Sequence, residues 1–207
     1  MKLDLYDTVF PILSPILFGL MAIFFLVIGL RGILTKRPFL MSQRWLLSMM
    51  FVAIVPTILL PFLLSLPDDF NFMSWLHPLL FVVILLMMCY QMRGYVAYAV
   101  TDTSFRDALL EALQKLQLPY EESLSVIRLT SIEAELQVSV QAWMGTGLIK
   151  MKQRAHRSVL KAIVNAMNEY FRTSSVPTNM IACIFLVIMG GLMVILTISM
   201  LFGRSFF

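Results

Sequence analysis

Between Thr173 and Gly203 the chain reads TSSVPTNMIACIFLVIMGGLMVILTISMLFG, 31 residues without a charged side chain. A helix that crosses a bilayer needs about 20 apolar residues, and its own backbone hydrogen bonds must suffice where water is absent. This stretch is long enough. Three further charge-free windows, Thr8–Leu30, Trp45–Pro67 and Phe70–Met92, hold 23 residues each. The expected fold class is therefore integral membrane α-helical, with four transmembrane helices at about 9–31, 45–66, 73–92 and 178–202 and a small cytoplasmic α+β domain inserted at 94–174.

The whole chain of 207 residues is 59% hydrophobic and 14% charged, against about 45–50% and 25% in soluble domains. That average conceals two materials. All 16 basic and 12 acidic residues fall in the 107 positions outside the windows, where their density of about 26% is that of an ordinary soluble protein. The balance excludes a soluble enzyme and a disordered chain. Two cysteines exclude a disulfide scaffold, and continuous rather than alternating apolar runs exclude an outer-membrane barrel.

The leading window is too long for a signal-peptide core, Asp4 and Asp7 dilute any positive start, and no small-x-small cleavage site follows Leu30. Arg31, Lys36, Arg37 and Arg44 separate the first two windows, whereas Asp68 and Asp69 lie between the second and third. Ten of the sixteen basic residues then fall between Arg93 and Arg172. The positive-inside rule predicts a multi-pass protein of the inner or plasma membrane, with both termini outside and residues 94–174 in the cytoplasm. Trp45, Trp75 and Tyr90 sit near window ends, where amphipathic rings favour headgroup depth.

No ionisable residue lies mid-window, which argues against ion-coupled transport. Pro11, Pro15, Pro56 and Pro61 are the candidate helix kinks. Proline is common in membrane helices, so ordinary accommodation by neighbours is the preferred reading over a gate. Gly190 and Gly191 are candidate helix-packing positions, since glycine permits close backbone approach.

The inserted segment carries globular patterns. Ser104-Phe-Arg-Asp107 has the form of a capping box, apolar residues Phe105, Leu109, Ala112, Leu113 and Leu116 follow at helical spacing, and Pro119 ends the run. From Ile132 to Trp143 apolar and polar residues alternate, which predicts a strand with one wet face. Ser123–Thr130 and Leu148–Lys152 predict flanking strands, with Gly145-Thr-Gly147 as a turn. Val159, Leu160, Ile163, Val164, Met167, Tyr170 and Phe171 form the stripe of a second helix. With Tyr95–Val100 as a first strand, the order is β-α-β-β-β-α.

Chemical constellations are sparse. His77 with Asp68 and Asp69 makes a poor metal set, and the topology separates His77 from His156. Cys89 and Cys183 fall near the cytoplasmic ends of their windows, where a reducing environment and apolar burial keep thiols inert. The sixteen methionines read as gap-fillers rather than copper ligands. Gly145-Thr-Gly147 lacks the lysine of a phosphate loop, and Glu133 and Glu135 read as a solvated strand face with no basic neighbour at a recognisable spacing. No catalytic set, metal or cofactor is expected.

One basic run stands out: Lys150, Lys152, Arg154, Arg157 and Lys161. It reads either as an ordinary polar edge or as a contact for anionic lipid headgroups or an acidic partner. Nucleic acid is not expected, because interleaved aromatics are missing. The function expected is a non-catalytic accessory, scaffolding or assembly subunit of a membrane complex or homo-oligomer, docking through its cytoplasmic domain. The alternative is a channel, lipid-handling or transporter component that the domain regulates. Its partners would be the lipid bilayer, other membrane subunits or a second copy of the chain.

Overall fold

Uninterrupted apolar composition leaves the backbone no better partner than itself, and the first window folds accordingly into a helix, α1 (Lys2–Thr35). The computed structural model describes residues 2–49, 51–52, 55, 72–92, 94–123 and 126–202. Two compact units make up the chain. One comprises Met1–Leu26, Trp45–Met92 and Ile188–Phe207, and the other Val27–Arg44 and Arg93–Val187.

Two helical segments, Leu13–Thr35 and Met180–Phe202, are each 23 residues long and apolar enough to cross a membrane. A third helix, α2 (Phe72–Gln91), is 20 residues long. Of the four expected spans, most of 45–66 lies outside the described residues, as do Pro56 and Pro61. Helix α1 runs through Pro11 and Pro15 without a break, and Pro15 is fully buried.

The second unit is a six-stranded antiparallel sheet with two helices packed on one face. Its strands are β1 (Phe39–Ser42), β2 (Gly94–Tyr98), β3 (Tyr120–Ser123), β4 (Val126–Leu129), β5 (Ala134–Gln141) and β6 (Thr146–Met151). They lie in the order β1-β2-β6-β5-β4-β3. Helix α3 (Asp102–Lys115) follows β2, and α4 (Arg157–Thr173) follows β6. The last helix, α5 (Met180–Phe202), begins within this unit.

Two strands exceed the β-α-β-β-β-α order that the sequence predicts. Tyr120–Ser123 pairs back onto β4, from Tyr120 opposite Leu129 to Ser123 opposite Val126. Its two glutamates hide any apolar alternation. Phe39–Ser42 lies in the basic connection that follows the first window, yet it forms the sheet edge beside β2. Four residues are too few for a period-2 pattern to be visible.

The core confirms the helical stripes. Phe105, Leu109, Ala112 and Leu113 of α3 meet Leu160, Ile163, Val164, Met167 and Phe171 of α4 over Ile127, Leu129, Leu136 and Ile149 of the sheet. The cap of α3 lies one turn earlier than expected. Thr101 is the N-cap, its hydroxyl accepting from the Ser104 N–H, while the Thr101 N–H donates to Ser104 Oγ at 2.9 Å. Ser104 is thus the far end of a capping box rather than its start.

Candidate functional site, a cationic cleft at the sheet edge

The basic run does not stay together when the chain folds. Lys150 stands on β6 opposite Gly94 and Gln137. Lys152 turns to Glu135, its Nζ donating at 2.8 Å, and Arg128 approaches the same carboxylate at 3.7 Å. Glu135 is therefore not a bare solvated acid. The hydrogen bond and charge of Lys152, then the charge of Arg128, hold its carboxyl below the usual range. The pairing was hidden because its members come from three strands' ends. The side chain of Arg154 lies outside the described residues.

Arg157 and Lys161 take a different course. They occupy the first turns of α4, four residues apart, and line a cleft of about 370 Å³ with Ser42, Arg44, Gly94, Tyr95, Ser158 and Leu160. Ser42 and Tyr95 are cross-strand partners at the end of the β1–β2 ladder. Antiparallel pairing puts opposed residues on one face, so both face the helix layer. Gly94 is needed for the close approach here, since a Cβ would come 2.6 Å from the Ile149 carbonyl oxygen. Beside it, Gln43 Oε1 is buried without a hydrogen-bond partner among the described residues.

No carboxylate lines the cleft among the described residues. Among the described residues, Arg44, Arg157 and Lys161 have no ion-pair partner, and the three are exposed. A second hollow, of about 330 Å³, is lined by Glu121, Glu122, Val126, Arg128 and Glu135. There two of the three acids are paired: Arg106 reaches Glu122 at 2.9 Å, and Glu135 has its two cations. The two sites therefore differ in chemistry. The second mixes acids with cations, whereas the first is a concentration of positive charge open to an anion.

A separate set of contacts joins apolar helices to the sheet within the same unit. Asn179 donates its N–H to the Ala99 carbonyl at 3.0 Å and its Nδ2–H to the Ala142 carbonyl at 2.6 Å. Its Oδ1 accepts from Ala182 N–H at 3.1 Å, which caps the start of α5. On α1, the Arg31 guanidinium lies 4.4 Å above the Phe39 ring, and that ring stacks on Tyr98 at 5.5 Å. Burial pushes the Tyr98 phenol up to about 12. Arg37 donates to the carbonyl of Arg172.

Glycines let the first and last helices approach. At Gly29 a Cβ would lie 2.7 Å from Val187 Cγ2 and 2.9 Å from the Cys183 carbonyl oxygen, and Gly32 faces Cys183 Sγ. In the other unit, a Cβ at Gly190 would lie 2.8 Å from Leu26 Cγ and 3.1 Å from the Ala22 carbonyl oxygen. Gly191 faces open space. Cys183 is buried, and the side chains of Cys89 and His77 lie outside the described residues, as do Asp68 and Asp69. No cluster of metal-ligating side chains occurs among the described residues.

Sequence reasoning missed Ser42 and Arg44, which only the β1 pairing brings to Arg157, and it missed Asn179. An Asn just before a long apolar helix is a capping signal that could have found the last of these. No protein-family model, curated protein or solved structure matches the chain.

Proposed function

We propose that the protein is a multi-pass membrane protein without a catalytic role, an accessory, docking or assembly subunit that holds its α+β domain against the cytoplasmic face of the inner or plasma membrane. The observation that carries this reading is Asn179. Two hydrogen bonds from one residue tie the start of an apolar helix to two separate loops of the domain, and a third caps that helix. Such bonds contribute on the order of 1 kcal/mol each, which supports a first turn of α5 held on the domain.

The end of α1 supports the same reading through Arg31, Phe39 and Tyr98. Trp143 adds to it. The residue is 77% exposed, and its neighbour Ala142 is bonded to Asn179, which sets Trp143 beside the start of the last apolar helix. An interfacial depth suits an amphipathic ring. Partners at that surface would be other membrane subunits or a second copy of the chain. The cationic cleft favours one branch of the alternative, a lipid-handling component.

Four spans with the domain inside predict opposite exposure of Asp69 and Gln137. With Cys89 and Cys183 replaced by Ser, Asp69→Cys should react with an impermeant maleimide from outside intact cells, and Gln137→Cys only after lysis. Labelling of both from one side would overturn the topology.

A further inference from the structure

We propose that the cleft lined by Ser42, Arg44, Tyr95, Arg157, Ser158 and Lys161 binds the phosphate group of an anionic membrane lipid. The inference rests on the membrane reading above and deepens it, turning a diffuse basic surface into one site. Its volume of about 370 Å³ falls in the range of about 300–1,000 Å³ typical of small-ligand sites. Three cationic side chains line it, with no acidic residue beside them among the described residues.

That arrangement is unfavourable when empty. Arg157 and Lys161 stand four apart on one helix, a spacing at which like charges repel. Arg44 adds a third positive charge from a different strand end. An anion removes the repulsion, and the fork of an arginine suits two phosphate oxygens at once. The Ser42 and Ser158 hydroxyls supply neutral donors, and helix α4 has no side-chain cap on its first turn.

Chain position favours a lipid over a soluble phosphate. Arg44 immediately precedes Trp45, where the second charge-free window opens, and Gly94 lies two residues beyond Met92, where the third closes. The cleft is thus walled by chain that leaves and enters the apolar windows, so in a chain that crosses the membrane there it falls within a few residues of the bilayer edge. Lys150 and Lys152, outside the cleft, provide an internal control of similar charge.

The full chain, purified in mild detergent and stripped of lipid, would be titrated with phosphatidylglycerol or phosphatidylcholine and read by native mass spectrometry. Wild type should prefer phosphatidylglycerol by at least about tenfold. Arg44→Gln with Arg157→Gln and Lys161→Gln should lose most of that preference, since each basic residue near an anionic surface is worth about fivefold. Lys161→Gln alone, an exposed change, should lose about fivefold, and Lys150→Gln with Lys152→Gln less than twofold.

Equal losses from the cleft and control variants would overturn the discrete site while leaving the docking reading intact. Displacement of the lipid by inorganic phosphate at equal concentration would overturn the lipid source in favour of a soluble ligand. Extraction of the chain from membranes by alkaline carbonate would instead refute the membrane reading itself.

Discussion

Tyr98 shows how a single residue records its surroundings. Its ring is 8% exposed and stacked on Phe39, and burial raises its phenol from 10.0 to about 12. The sign follows directly. Below pH 10 the phenol is protonated in folded and unfolded chains alike, so the contribution to stability is fully present there. Between pH 10 and 12 only the unfolded chain releases its proton, so stability falls by roughly 2–3 kcal/mol. Thermal unfolding followed across that interval should show a steeper decline for wild type than for Tyr98→Phe, and parallel curves would refute the assignment. Glu135 runs the other way: its lowered carboxyl favours the folded chain above the usual carboxylate range, an advantage lost as pH falls through the folded value. Residue type revealed neither effect. A tyrosine in Tyr95–Val100 was legible as strand material, but its stacking partner lies 59 positions earlier, on a strand too short to be read.

Among elements, those with a long period were read well and those without one were not. Helices α3 and α4 and strand β5 each carry enough repeats for the buried face to be named from sequence, and most of the named residues form the core or pack against it, Ala142 being exposed. Strands β1 and β3 hold four residues each, too few for a period to show; β1 pairs with β2 across a long stretch of chain, and β3 pairs with β4 across two residues. The apolar helices are a different case, since a helix that is apolar all round does not declare its packing face. Gly190 and Gly191 look equivalent in sequence, yet only Gly190 meets a neighbour. Gly190→Leu should therefore lower the melting temperature of the detergent-solubilised protein by several degrees, in line with overpacking costs of about 1–3 kcal/mol. Gly191→Leu should leave it nearly unchanged, and equal shifts would contradict the packing of Gly190 on Leu26 and Ala22.

At the scale of the whole molecule, the compact unit that holds the sheet takes in Val27–Arg44 as well as Arg93–Val187. Leu40 is 8% exposed within its core, and the Leu40 N–H donates to Asn168 Oδ1 at 2.9 Å. A fragment of residues 94–174 would lose β1, bare the β2 edge and leave Asn168 without that partner. Exposed strand edges invite pairing with other chains. The fragment should therefore aggregate or unfold more readily than one given the peptide of residues 38–43 in trans, as measured by its melting curve with and without peptide. Indifference to the peptide would show that β1 is dispensable.

What the sequence determined by itself was the division of materials: where charge is absent long enough for membrane-crossing helices, and where helical and strand periods lay down a mixed domain between them. Those properties belong to contiguous residues, and local composition and period suffice to express them. Tertiary structure decided which distant residues meet. It separated one basic run into a paired lysine at Glu135 and two cations facing a cleft, and it brought Arg44 to Arg157 across 113 positions of chain. It also made Asn179 the joint between the last helix and the sheet. Strand pairing and close backbone approach act between segments far apart in sequence, so no local pattern encodes them.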